Sequence, residues 1–194
     1  MANKLKKWDD AYKDADIATA TPAQVLLENE YLLPKKGDVL DLACGRGGNA
    51  LFLARLKSFN LQVDAIDVSP VVLDKLKQYA AQNDLAINCH LRDIESQGLL
   101  QKQYDVIVVS YFLDRDLFPA IVSALKPNGL LFYQTWSQEK VDDTGPNNPK
   151  FRLASSELLR LTTSLVPLLY RENGAIGNTN KGLRNEAMLI ARKV

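Results

Sequence analysis

Asp41, the glycines at 45, 47 and 48, and Asp67 are the residues in this chain of 194 whose types and spacing could do chemistry. Val39-Leu40-Asp41-Leu42 reads as a buried parallel strand, and it stops at the glycine cluster Gly45-Arg46-Gly47-Gly48. Beyond it, residues 50–56 continue with helical spacing, so the unit is strand, tight turn and helix. Glycines there permit positive φ and close approach of a ligand, and the helix start offers unsatisfied N–H groups. Two ligands explain such a turn. Gly45-x-Gly47-x-x-Ala50 matches the dinucleotide fingerprint, with Asp67 at the distance of a ribose-binding acid. Asp41 shifts the balance, because a carboxylate beneath the turn repels a pyrophosphate and attracts the ammonium of a methionine-like amino acid, directly or through a water. A bare structural turn needs neither three glycines nor Asp41.

This stretch resembles motif I of the class I S-adenosylmethionine-dependent methyltransferases, whose glycine loop follows an acidic residue on the first strand. A carboxylate ending the second strand can accept hydrogen bonds from two vicinal ribose hydroxyls, and Asp67 stands there on both the residue reading and the resemblance. The resemblance further implies that Asp93 meets the adenine amino group while Ile94 covers the ring. It also places Ala43, Gly45, Gly47, Asn49, Val68 and Ser110 around S-adenosyl-L-methionine, with S-adenosyl-L-homocysteine as product. Trp8 and Tyr12, on an N-terminal helix, either close over the cofactor or anchor a packing helix.

The elements that must position these residues follow from periodicity. Strands are expected at residues 39–42, 61–67, 86–91, 104–110, 130–136, 165–171 and 185–192. Thr21-Pro22 reads as a cap and first-turn proline for a helix over 23–29, and Ser69-Pro70 does the same for 71–83. Lys126-Pro127-Asn128-Gly129 reads as a turn ahead of the fifth strand, with Asn128 suited to a left-handed conformation. Strand-helix alternation followed by a two-strand ending predicts an α/β, Rossmann-like, doubly wound sheet of seven mostly parallel strands in the order 3-2-1-4-5-7-6. One strand is antiparallel, and helices cover both faces. The whole of 1–194 is expected to form one domain, with 1–33 as an N-terminal helical lid and the loop 137–152 as a substrate lid on the ligand-binding face.

Composition narrows the partners. Lys and Arg total 24 against 23 Asp and Glu, so no basic surplus points to nucleic acid. Two cysteines make no disulfide framework, and a cytoplasmic location is expected. The first ten residues are basic without an apolar stretch, unlike a secretory leader. No apolar run is long enough to span a bilayer. His90, the single histidine, stands in a strand without companion ligands and reads as structural, so no metal is expected. The expected partner is a small-molecule acceptor, without nucleic acid or membrane; oligomeric state is not legible.

Methyl transfer from a sulfonium needs positioning and dehydration more than a catalytic triad. No Asn/Asp-Pro-Pro-Tyr stretch follows the fourth strand, where Ser110-Tyr111-Phe112-Leu113 stands, and neither cysteine lies there. These absences argue against adenine amino and pyrimidine carbon methylation in nucleic acid. Over nearly the whole chain, Trp8 and Tyr12, the glycine turn, Phe151-Arg152-Leu153, and Leu183-Arg184 to Met188-Leu189-Ile190-Ala191-Arg192-Lys193 resemble the tellurite-resistance methyltransferases, which act on chalcogen oxyanions and related small acceptors. Arg184 matches a family arginine near the active-site mouth, whereas the family's hairpin histidine has no counterpart in 175–181. Arg184, Arg115 and Tyr111 are therefore the candidates for positioning an acceptor, expected to be a chalcogen oxyanion or a thiol, with Arg152 placed similarly. The competing readings are a nicotinamide-dependent oxidoreductase and a cofactor-binding protein without catalysis. For the first, Tyr31-x-x-x-Lys35 does occur, but Pro34 forbids the helix it needs.

Overall fold

The computed structural model describes residues 2–194, so the first residue of the expected lid 1–33 lies outside the described residues. The strands are β1 Lys36–Leu42, β2 Asn60–Asp67, β3 Ile87–Leu91, β4 Tyr104–Ser110, β5 Leu125–Trp136, β6 Val166–Glu172 and β7 Glu186–Arg192. They form one sheet in the order β3-β2-β1-β4-β5-β7-β6. β1 to β5 pair in parallel, and β7 runs antiparallel to both β5 and β6. The expected order is thus the observed one, and the antiparallel β7 sets it apart from an all-parallel dehydrogenase sheet. β1, β2 and β4 bury apolar residues on both faces because helices cover both, with Asp41, Asp64 and Asp67 as the buried acids among them.

The helices are α1 Ala2–Tyr12, α2 Gln24–Leu27, α3 Gly48–Arg55, α4 Pro70–Gln82, α5 Ile94–Gln97, α6 Phe118–Ala124 and α7 Glu157–Leu161. Period-two alternation divides the core. Val39, Val63, Val106 and Val108 pack with α2, α3 and α4, while Leu40, Ile66, Ile107 and Val109 pack with α5, α6 and α7. Asp41 shares a face with Val39 and so points at α3. Among the described residues, no helix is long and apolar enough to cross a membrane. His90 Nε2 sits 3.3 Å from Asp64 Oδ1, in a polar network with Asn88, Lys102 and Tyr104.

Local signals hold where the partner is local. Ser69 Oγ accepts from Val72 N at 3.4 Å and Pro70 occupies the first turn of α4. Asn128 takes φ 64°, although Lys126 to Gly129 is a bulge within β5 rather than a separate turn: Tyr104 pairs with Leu125 and Val106 with Leu130. The expected helix over 23–29 is shorter, with α2 only four residues long and a 3-10 turn at Glu30–Leu32. Its cap is not Thr21. Ala23 N donates to Asn49 Oδ1 at 2.9 Å and Val25 N to Gln134 Oε1 at 2.7 Å, so buried amides from α3 and β5 satisfy the helix start.

Gly48 has a packing reason distinct from its neighbours. Its φ is not positive, but a Cβ there would overlap the Thr21 backbone. Gly48→Ala must push the 20–23 segment outward, and it is expected to lower unfolding free energy by about 1–3 kcal/mol in urea denaturation. An unchanged midpoint would show that this contact does not constrain the fold.

Candidate active site

A cavity of about 760 Å³ opens beyond the carboxyl ends of β1, β2 and β4. This is the side where the strand order reverses between β1 and β4, the switch point at which open α/β sheets take ligands. Ala43, Gly45 and Asn49 line it from the turn after β1, Asp67 and Val68 from the end of β2, and Asp93 and Ile94 after β3. Ser110 and Tyr111 line it from the end of β4, and Trp8 and Tyr12 from α1. Asp41, Gly47, Arg115 and Arg184 are not part of its wall.

Asp41 lies fully buried under the floor. Its carboxylate accepts from Ala50 N at 3.0 Å and from Asn49 Nδ2 at 3.1 Å. Burial is the main reason its pKa is raised to about 7, against these two hydrogen bonds, which favour the ionised form. Asn49 Nδ2 also donates to Ser110 Oγ at 2.9 Å, so one amide links the β1 carboxylate to the β4 hydroxyl. Asp41 therefore reaches the cavity through Asn49.

Asp67 sits in the wall with both oxygens held by backbone. Oδ2 accepts from Gly45 N at 2.8 Å and Oδ1 from Ser69 N at 2.9 Å. Gly45 takes φ 51°, and a Cβ on it would come within 2.9 Å of the Tyr12 hydroxyl. The Tyr12 ring stacks on Trp8 with centroids 5.8 Å apart. Ser69 Oγ donates to Asp9 Oδ1 at 2.6 Å and seats α1, while Lys75 Nζ donates to Lys13 O and Ala15 O just beyond the helix at 2.5 and 3.1 Å.

The opposite end is aromatic. Tyr111 and Trp136 have ring centroids 5.1 Å apart, and Phe112, Phe151 and Pro146 complete that wall. Lys7, another lining residue, holds its ammonium 5.3 Å from the Trp8 ring centroid and 6.0 Å from that of Phe151. α1 and the 137–152 segment thus meet across the cavity. Sequence reasoning missed Lys7, Trp136 and Phe151 as lining residues; Trp136, as the last residue of β5 on the ligand-binding edge, carried the one legible signal.

The three arginines expected near an acceptor are turned elsewhere. Arg115 forms a two-pronged pair with Glu157 at 2.6 and 2.9 Å and donates to the carbonyls of Lys150 and Arg152. Arg152, buried, donates to the carbonyls of Ser137, Thr144 and Pro146. Arg184 donates to the carbonyls of Asn173, Gly174, Ile176, Asn178 and Lys181. A guanidinium presents five donors in a fixed fork, which suits it to gathering the carbonyls of an irregular loop. Each of these side chains closes a loop, and that is why none points into the cavity.

A family model described as a methyltransferase domain matches residues 39–129. The probable S-adenosyl-L-methionine-dependent methyltransferase TehB of Haemophilus influenzae is 32% identical over 198 residues, covering 96% of this chain and 67% of that protein. Its crystal structure superposes with a TM-score of 0.67 at 26% identity, covering 98% of this chain and 67% of that one. Ubiquinone biosynthesis O-methyltransferase of Coxiella burnetii is 26% identical over 133 residues, 66% of this chain and 56% of its own length, so the chain spans little more than half of that relative. Coclaurine N-methyltransferase, solved with N-methylheliamine and SAH, shares the fold at a TM-score of 0.68 and 17% identity, covering 87% of this chain and 71% of that one.

The buried carboxyl of Asp41 gives stability a pH dependence of known sign. Its pKa of about 7 in the folded chain exceeds the ordinary 3.8, so between these values the unfolded chain holds fewer protons. Stability is expected to fall as pH rises from about 4 to about 7, by up to about 1.4 kcal/mol per pH unit. Asp41→Asn removes that slope. Urea unfolding of both proteins across this window measures the difference, and parallel curves would mean that Asp41 stays ionised in the folded state.

Proposed function

The chain belongs to the S-adenosylmethionine-dependent methyltransferases, and from that premise we propose that it moves the methyl group of S-adenosyl-L-methionine to a small acceptor, a thiol before a chalcogen oxyanion. The observation that carries this reading is the continuity of one cavity, from the Asp67 carboxylate at one end to Tyr111, Trp136 and Phe151 at the other.

The residues present fit the cofactor. Asp67 stands in the cavity wall with its oxygens facing the backbone amides of Gly45 and Ser69, where a carboxylate would meet the hydroxyls of a ribose. Val68, Asp93 and Ile94 would enclose the adenine, while Ala43, Gly45, Asn49 and Ser110 would face the amino-acid portion, with Asp41 acting through Asn49 and Gly47 shaping the turn. Trp8 and Tyr12 would close over it. When bound, the cofactor supplies a methyl group on a positively charged sulfur. The protein's part is to fix the attack line and to exclude water, for which the aromatic end and the two converging segments are suited. The chain works as one domain in which the N-terminal helical segment up to residue 33 and residues 137–152 are the lids. Its thiols fit a reducing cytoplasm, and no nucleic acid or membrane takes part.

A thiol is favoured because the acceptor end is aromatic and Arg115, Arg152 and Arg184 serve loop carbonyls. The oxyanion is the second reading, supported by the Lys7 ammonium beside Phe151. Calorimetry should show binding of S-adenosyl-L-homocysteine and none of NAD. Asp67→Ala is expected to weaken that binding by about 2–4 kcal/mol, allowing about 1.5 for each charge-assisted bond lost. In an assay of S-adenosyl-L-homocysteine release from thiols, chalcogen oxyanions and small carboxylates, thiols should turn over fastest. Binding without turnover of any of them would favour a non-catalytic binding protein.

A further inference from the structure

Three large aromatic side chains stand open at the cavity instead of packing in the core. Trp8, Tyr111 and Phe151 keep 37%, 49% and 48% of their surface exposed, and all three line it. The backbone holds Tyr111 there under strain. Its φ of 55° lies in the left-handed region, an outlier for an aromatic residue, and Tyr111 N donates to Gln134 O at 2.9 Å to fix it. Trp136 extends the surface, with its ring centroid 5.1 Å from that of Tyr111. Exposed rings gathered on one concave wall suit the apolar body of a ligand.

Charge at this end comes from one residue. Of the cations that line the cavity, Arg46 donates to Asp16 O and Thr19 Oγ1, and Arg92 donates to Gly98 O and Gln97 O. The Lys7 ammonium differs. It lies over two rings, 5.3 Å from the Trp8 centroid and 6.0 Å from that of Phe151, and among the described residues it makes no hydrogen bond or ion pair. An aromatic face attracts an ammonium without using its N–H donors. The lining acids Asp67, Asp93 and Glu95 follow β2 and β3, whereas the wall of Tyr111, Phe112, Trp136, Pro146 and Phe151 brings no carboxylate. The aromatic end is therefore apolar with a single positive charge beside it.

We propose that Lys7 binds a carboxylate on the acceptor, which makes the substrate class a thiol with an apolar body and one anionic group. The inference rests on the methyl-transfer reading above and gives the Lys7 ammonium a part in its thiol form. The rings of Tyr111, Trp136 and Phe151 take the body, and the ammonium takes the carboxylate on the α1 side. A phosphate or a chalcogen oxyanion calls for several donors at once, as a guanidinium fork supplies them. Arg115, Arg152 and Arg184 use their forks on Glu157 and loop carbonyls. One ammonium with its donors open matches one negative charge. Because Lys7 belongs to α1 and Phe151 to the segment facing it, an anion held there also ties the two across the cavity.

The test uses thiols of one skeleton: mercaptobenzoate, its neutral methyl ester, and mercaptobenzylamine, whose ammonium replaces the carboxylate. Wild type should turn over the carboxylate with the lowest KM. Lys7→Met should raise that KM by about 3–10-fold, keep kcat within about two-fold and leave the ester unchanged. Lys7→Glu should move the preference to the amine. An equal rise in KM for acid and ester would mean that Lys7 only packs on the rings, and it overturns the proposal. A second arm needs no turnover. Ligand-observed NMR of benzoate, with and without S-adenosyl-L-homocysteine, should show binding to wild type that Lys7→Met weakens. No benzoate binding to wild type, or equal binding to Lys7→Met, overturns the proposal. If S-adenosyl-L-homocysteine does not bind, or no thiol is methylated, it is the methyl-transfer reading that fails, and the benzoate arm still decides the role of Lys7.

Discussion

The Asn49 side chain joins four segments of the chain. Its carbonyl oxygen takes the amide of Ala23, and its amide nitrogen reaches Asp41 on β1 and Ser110 on β4. Asn49 belongs to the first turn of α3, so the same residue sets the helix start against the strand ends on which the cavity rests. Removing it would leave a buried carboxylate and a buried helix-start amide short of partners. Gln134 repeats the device one strand further on, joining Val25 N to Glu186. Two buried amides thus fix the 20–27 segment across the ends of β1, β4 and β5, and the cavity wall depends on both.

Electrostatics separates two acids that are similar in sequence. Asp41 and Asp67 both end central strands near the glycine turn, and each raises the energy of placing charge on the other. Asp67 keeps contact with the cavity and is stabilised by two backbone amides. Asp41 has no exposure and is held near neutrality by burial. The floor is therefore acidic in composition without carrying two full charges, and a cation above it would draw the buried proton off Asp41. That coupling arises from depth, since the two side chains differ little in chemistry.

Loops on the cavity side are organised by arginine. Arg152 draws the 137–152 segment into a tight turn around its own guanidinium and lies against the Trp136 ring, 5.8 Å from its centroid. Arg115 then fastens the end of that segment to Glu157 at the start of α7, and Arg184 gathers the loop between β6 and β7. Irregular backbone carries carbonyls that no ladder satisfies, and a forked donor answers several at once. The consequence is a cavity with one end shaped by aromatic rings on braced loops, and with Lys7, Arg46 and Arg92 among its lining residues.

The sequence by itself determined the sheet, its order and the residues after β1, β2 and β3 that line one end of the cavity. Those features rest on local signals: uninterrupted apolar runs for strands buried on both faces, Ser69-Pro70 for the start of α4, and a strand-turn-helix with an acid before it and another ending the next strand. What only the tertiary structure decided was which polar groups meet across long separations. Ala23 finds its cap 26 residues away and Val25 finds its partner 109 residues away, so no local pattern could have ended α2 where it does. Arg184 looks like an acceptor ligand by position, yet its fork is filled by carbonyls of a loop whose backbone path has no sequence period. Glu186 reads as an ordinary strand residue until antiparallel register sets it opposite Trp136 and within reach of the Gln134 amide. Periodicity fixes which face a side chain takes, whereas the partner it meets there depends on how distant segments are brought together.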